Sequence, residues 1–172
     1  SVDRDGNANL IDVAAAAGAD VVMMSVVGAS VDNPMDLFRA KHDAEQHLRA
    51  SAARWTIVRA TAFVEMWAEI ISKAPVFGRG DTPINFVSVD DVAAVVERAV
   101  LDESLRGEVL EVGGPQNLTF NELAAVLHQV HGGHDKIRHV PRWALQALAP
   151  IARQARAAVT MDTKNMTFDA AA

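Results

Sequence analysis

Three side chains of this 172-residue chain put polar groups where chemistry is expected in an otherwise apolar pattern: Ser25, Lys41 and Arg59. A serine hydroxyl both accepts and donates a hydrogen bond, and a lysine ammonium brings three donors and a positive charge. All three fall in one strand–helix–strand pattern. Val21-Val22-Met23-Met24-Ser25-Val26-Val27 is an apolar run broken by a single hydroxyl, as in a strand buried on both faces of a parallel sheet. Trp55-Thr56-Ile57-Val58-Arg59 is a second strand, mostly apolar until its last residue. Between them Asn33-Pro34 predicts a helix start, with Asn33 as N-cap and Pro34 in the first helical position. Lys41 then lies about two turns into the crossover helix. Ligands of open α/β sheets bind at the carboxyl ends of the strands, where Ser25 and Arg59 fall.

Each residue also has a plain structural reading. Lys41 can pair with Glu45 at i,i+4 on a solvated helix face. The Ser25 hydroxyl can be satisfied by neighbouring backbone. Arg59 can form a strand-end salt bridge, for example to an acid on the 36–50 helix.

The elements around this pattern alternate in the same way. Asp5 or Asn7 is placed to cap a first helix through Leu10, Ile11, Val13, Ala14 and Ala17, ended by Gly18. On the helix after Asn33, Leu37, Phe38, Lys41, Ala44 and Leu48 share a broad face, while His47 and Arg49 point to solvent. A helix from Val64 through Ile71 ends at Pro75 and the Gly78-Arg79-Gly80-Asp81 surface turn. Ile84-Asn85-Phe86-Val87 alternates like a short strand. Ser88 caps a helix through Val100, with Asp91 in its first turn. Gly107 to Val112 is a strand stopped by Gly113-Gly114-Pro115. Thr119-Phe120-Asn121-Glu122 forms a capping box before a helix that Gly132-Gly133 ends. Lys136 to Val140 reads as a short strand, Pro141 opens a helix, and Ile151 to Met161 could be helical. Alternating strands and helices predict an α/β fold with a parallel core.

Composition narrows the function. Half the residues are hydrophobic, the formal net charge is -6 and the basic residues are scattered. Nucleic-acid binding wants a clustered basic surface, so no nucleic-acid partner is expected. No stretch approaches the roughly 20 apolar residues of a membrane span, so no membrane partner is expected. The chain has no cysteine, which excludes disulfides and thiolate chemistry and is compatible with a cytoplasmic protein. His128, His131 and His134 do not share one helix face, because two glycines separate the last two, so no metal site is assigned. No G-x-S-x-G elbow supports a hydrolase.

Ser25-Val26-Val27-Gly28-Ala29, Phe38-Arg39-Ala40-Lys41-His42-Asp43-Ala44-Glu45 and Trp55 through Phe63 together resemble the middle of an atypical short-chain dehydrogenase/reductase, of the NmrA-like and NAD(P)-dependent epimerase/dehydratase-like branch. Phe86-Val87-Ser88-Val89-Asp90-Asp91-Val92-Ala93, Leu110 through Pro115 and Leu118-Thr119 resemble the carboxyl half of that family. Met161-Asp162-Thr163 and Met166-Thr167-Phe168-Asp169 resemble a segment of its substrate lobe. The resemblance implies a Rossmann-like parallel sheet, here incomplete, with a small mainly helical C-terminal lobe. It divides the chain into a partial nucleotide-binding domain, 1–115, and a lobe segment, 116–172. It also implies NADP or NAD as cofactor, with no basis here for choosing between them.

The resemblance gives roles to residues. Lys41 would hold the nicotinamide ribose or help a carbonyl electrostatically, and Ser25 would contact substrate or the nicotinamide carboxamide. Arg59, Ala60, Thr61, Ala62 and Phe63 would line the nicotinamide side, with Ala60 where the family usually has proline. Two departures stand out. Four residues before Lys41, where the family's usual acid–base tyrosine belongs, stands Leu37, and the chain contains no tyrosine. The Gly-rich phosphate turn is also absent, so about three βα units of roughly 30 residues each are expected upstream. The expected function is an NAD(P)-binding oxidoreductase acting on a small carbonyl- or quinone-like substrate. The alternative is an NmrA-like regulator that senses NAD(P) without turnover and docks a protein partner. A homo-oligomer is a further expectation.

Overall fold

The structure is a computed structural model that describes residues 2–131, 138–148 and 153–169. In chain order its elements are α1 (Asn7–Ala16), β1 (Val21–Val26), α2 (Asp36–Ala50), β2 (Trp55–Ala60), β3 (Ala62–Phe63), α3 (Val64–Lys73), β4 (Val76–Phe77) and β5 (Ile84–Val87). There follow α4 (Val89–Leu101), β6 (Val109–Val112), β7 (Asn117–Leu118), α5 (Phe120–His131), β8 (His139–Val140), α6 (Arg142–Leu148) and α7 (Arg153–Met161). They form two compact units, Ser1–Thr61 with Asp90–Val112, and Ala62–Val89 with Gly113–Ala172.

The first unit is built on a parallel sheet of order β1-β2-β6. The strands form where the sequence is apolar and β-branched, and α2 supplies the crossover that a parallel pair requires. One core cluster of Ile11, Met23, Ala44, Leu48, Ala53 and Ile57 joins α1, α2 and the two long strands. Burying a Leu or Ile of this kind contributes about 1.5–3 kcal/mol. At the amino ends of the strands Asp20 receives hydrogen bonds from Arg54 (2.8 and 3.1 Å) and Arg106 (2.7 Å). Arg106 also donates to the carbonyls of Ala99 and Val100 at the end of α4, satisfying groups the helix leaves open.

Two helix starts differ from expectation. Neither Asp5 nor Asn7 caps α1: Gly6 holds the N-cap position in helical conformation, because a π-helical turn over Val2–Gly6 runs straight into the helix. Of the apolar residues along α1, Ile11 is buried while Leu10 and Val13 are exposed. Asn33 does not cap α2 either. The helix begins at Asp36 after an extended Met35, and Asn33 ties the preceding loop: its Oδ1 accepts from the Met35 amide (3.0 Å) and its Nδ2 donates to the Gly28 carbonyl (3.1 Å). Phe38, Ala44, Glu45 and Leu48 are the buried face of α2, and Leu37 is exposed.

In the second unit β3 pairs parallel with β5, β5 antiparallel with β7, and β4 parallel with β8. All four residues of β5 are buried, so the strand does not alternate as expected. Asn85 accounts for its buried polar member. Its side chain donates to the Gly114 carbonyl (3.0 Å) and Asn117 Oδ1 (3.0 Å) and accepts from the Gly114 amide (2.8 Å). Glu122 and Thr119 form the expected capping box, with Glu122 Oε2 accepting from the Thr119 amide at 2.7 Å and Thr119 Oγ1 from the Glu122 amide at 3.1 Å.

The Gly78-Arg79-Gly80 turn is not the surface turn expected. Both glycines are buried, at φ of 64° and 69°, and the turn closes over the buried Asp162, whose Oδ1 accepts from the Arg79 (2.8 Å) and Gly80 (3.3 Å) amides. Lys136, His134 and the Gly132-Gly133 helix stop lie outside the described residues. Among the described residues no helix is long and apolar enough to cross a membrane.

Two glycines make contrasting predictions. A Cβ at Gly114 would sit 1.9 Å from the Phe86 carbonyl oxygen, whereas one at Gly107 (φ 86°) would meet nothing within 4 Å. Gly114→Ala is expected to lower the unfolding free energy by about 3 kcal/mol or more through forced backbone displacement. Gly107→Ala should lose only the roughly 1–2 kcal/mol of a left-handed non-glycine residue. Denaturant unfolding of both variants measures the difference.

Candidate functional site

The carboxyl ends of β1 and β2 converge on one buried carboxylate. Ser25, Arg59 and Glu111 are register neighbours across β1, β2 and β6. Side chains in register share a face of the sheet, here the one that α2 covers with Glu45. Glu45 is 0% exposed. Arg59 engages it with two prongs, Nε donating to Oε1 at 3.0 Å and Nη2 to Oε2 at 2.7 Å. Ser25 Oγ donates to the same Oε1 at 2.5 Å. Arg59 Nη1 donates outward to Glu111 Oε1 at 3.1 Å.

Burial by itself pushes the Glu45 carboxyl up, because a low-dielectric setting disfavours the charged form. The Arg59 and Ser25 hydrogen bonds, with the charges of Arg59 and Arg49, more than reverse that and hold it below the usual glutamate range. The Arg59 guanidinium is held above its ordinary value, chiefly by its hydrogen bond to Glu45, and stays charged.

Lys41 stands one turn before Glu45 on α2, and its Nζ donates to the Met24 carbonyl at 3.2 Å, next to Ser25 on β1. The expected i,i+4 pair between Lys41 and Glu45 is therefore not formed: Arg59 and Ser25 engage the carboxylate, and the ammonium reaches the strand end instead. Nor is Ser25 satisfied by backbone, since its proton goes to Glu45. The strand-end salt bridge expected for Arg59 is present, and its acid is Glu45. Ala60 is buried, and its carbonyl accepts from the Val27 amide at 3.0 Å. The Thr61 amide donates to the Val112 carbonyl at 3.0 Å, continuing the ladder.

The structure thus gathers Ser25, Lys41, Arg59, Ala60 and Thr61 in the first unit, while Ala62 and Phe63 pair with Phe86 and Val87 in the second. Glu45 was the residue missed. Its signal was its place between Ala44 and Leu48 on a buried helix stripe, with an unmatched arginine at the end of the next strand.

A parallel sheet whose first two strands are joined by the helical crossover α2 makes this an α/β protein. The chain belongs to the NAD(P)H-binding family, which it matches over residues 1–103. It is 32% identical over 133 residues to the mitochondrial NADH dehydrogenase [ubiquinone] 1 alpha subcomplex subunit 9 of Arabidopsis thaliana, a match covering 71% of this chain and 32% of that one. It is 30% identical over 131 residues to an NAD(P)H azoreductase of Xenophilus azovorans, covering 73% and 46%. Its fold is similar to that of an NADPH-dependent quinone oxidoreductase from Escherichia coli solved with NADPH, at a TM-score of 0.76 and 22% identity, covering 95% of this chain and 62% of that one. The chain spans less than half the length of these curated relatives.

The donor set suits the nicotinamide end of such a cofactor. Ribose hydroxyls can accept from an ammonium like that of Lys41, which lies near the carboxyl end of β1, the edge at which open α/β sheets bind ligands. The 172 residues contain no G-x-G-x-x-G turn of the kind that cradles a pyrophosphate.

The Glu45 carboxyl is expected to set an acid limb of stability. Its folded value lies below its unfolded one, so its contribution is full above about 4.5, the ordinary glutamate value, and is lost as pH falls through the lower, folded value. Arg59→Met strands the buried charge and is expected to destabilise the chain by roughly 3–5 kcal/mol at neutral pH. The gap to the parent should narrow in acid, as read by urea unfolding at a series of pH values.

Proposed function

We propose that this chain supplies the nicotinamide side of an NAD(P)H-dependent reductase acting on a small carbonyl- or quinone-like substrate. The single observation that carries this reading is the Lys41 ammonium held against the Met24 carbonyl at the carboxyl end of β1. An ammonium there can donate to ribose hydroxyls and place positive charge beside an oxygen on which negative charge develops. The cofactor, when bound, supplies hydride. Ser25 and Arg59 act with Glu45 to fix the strand ends, and the backbone of Ala60 and Thr61 continues from β2 beside them. Reductases among the relatives support the reading, since the azoreductase of Xenophilus azovorans is named for NAD(P)H. A cytoplasmic setting is part of the proposal.

The second reading, a protein that senses NAD(P) without turnover and docks a protein partner, draws on one specific feature. The chain has no tyrosine to pair with Lys41 in the proton transfer usual in the resembled family. A relative named as a subunit of an NADH dehydrogenase subcomplex also supports it.

Titration with NADH and NADPH, followed by fluorescence, tests binding, and addition of a simple quinone or aldehyde tests turnover. The first reading expects binding with oxidation of the cofactor, and the second expects binding alone. Lys41→Ala should weaken binding by about tenfold in either case, the size of one or two charge-assisted hydrogen bonds. Unchanged affinity in that variant would contradict both readings.

A further inference from the structure

Glu45 is an expensive residue to place where it is. A carboxylate moved out of water loses far more solvation than a leucine of similar volume would, and a buried ion pair commonly adds no net stability over such an apolar pair. Here the charge is at 0% exposure, under the helix that carries Lys41 and over the strand ends that carry Ser25 and Arg59. Stability alone does not explain it.

What the carboxylate does is geometric. Two guanidinium bonds fix its plane, the Ser25 bond fixes β1 against the same oxygen, and Arg59 carries the link on to Glu111 of β6. Three strands and one helix are thereby pinned at a single level of the sheet. Lys41 lies one turn earlier on that helix and bonds the carbonyl immediately before Ser25. Any rotation or slide of α2 would move the ammonium relative to the strand end.

We propose that Glu45 is a positioning residue, which through Arg59 and Ser25 sets the Lys41 ammonium at the carboxyl end of β1 for contact with the nicotinamide ribose. This rests on the proposed nicotinamide site and adds a residue that touches no ligand. The same bonds commit the Ser25 proton to Glu45, so Ser25 serves the clamp and has no proton to offer a substrate carbonyl.

The test compares Glu45→Gln, Lys41→Ala, the two combined, and an apolar replacement of the clamp, Glu45→Leu with Arg59→Leu. Each is titrated with NADPH and with reduced nicotinamide mononucleotide, and its fold is checked by circular dichroism and urea unfolding. Positioning predicts that Glu45→Gln loses about as much affinity as Lys41→Ala, roughly tenfold, and that the combined variant loses no more than Lys41→Ala. The Leu–Leu variant should then bind weakly while keeping its stability. Additive losses, or parent-like affinity in Glu45→Gln, would overturn the proposal. Should the Leu–Leu variant not fold, the comparison of Glu45→Gln with Lys41→Ala decides alone. A parent chain that binds neither probe would overturn the proposed nicotinamide site itself, and this assignment with it. Parent binding that Lys41→Ala weakens and Glu45→Gln leaves unchanged overturns the assignment of Glu45 only.

Discussion

A carboxylate buried beneath a helix must be paired or neutralised, and the first unit is arranged to keep Glu45 paired. Its partners have to arrive together: Arg59 from the carboxyl end of β2, Ser25 from β1 at the same register, and Glu45 itself from the third turn of α2. The apolar cluster of Ile11, Met23, Ala44, Leu48, Ala53 and Ile57 supplies the non-directional attraction, and tolerates small shifts of helix over sheet. The carboxylate does not, because a hydrogen bond weakens steeply with angle and distance. Burial thus brings the layers together and the ion pair selects the register in which the strand ends and Lys41 meet.

The opposite end of the same sheet is fixed by similar means. Asp20, before β1, takes Arg54 and Arg106, and Arg106 in turn closes the end of α4. A sheet pinned at its amino edge by one acid and at its carboxyl edge by another leaves little freedom for the crossover helix. In the second unit Asp162 and Asn85 perform comparable work, one closing the Gly78–Gly80 turn and the other the Gly114 loop. In each place a short acid or amide side chain substitutes for regular backbone pairing where the chain bends.

The strands and helices were legible because apolar runs and capping residues are local signals. The β1, β2 and α3 segments, the Thr119–Glu122 capping box and the Gly113-Gly114-Pro115 stop could be read directly from neighbours in the sequence. The pairing of polar groups was not. Glu45 lies four residues after Lys41, so a helix viewed alone assigns the pair to each other; only the sheet, which brings Arg59 across from another element, redirects both. Asn33 and the Gly78–Gly80 turn differ from expectation for the same reason. An asparagine before a proline reads as a helix cap until its loop partner at Gly28 is known, and an aspartate 82 residues from Gly80 gives no local sign that it fills a turn. Charged and amide groups choose partners by three-dimensional proximity, which apolar periodicity does not encode.

The central claim is that Glu45 remains an ionised, paired carboxylate inside the fold. The most direct measurement is an acid titration of the chain carrying 13C-labelled glutamate, following the Glu45 side-chain carboxyl carbon, assigned by its absence in Glu45→Gln. The account predicts that this carbon keeps its carboxylate shift while exposed glutamates protonate near their ordinary value of about 4.5, and moves only at lower pH or on unfolding. A Glu45 resonance that titrates with the exposed glutamates, or above them, would mean the carboxyl is neutral or unpaired and would contradict the account.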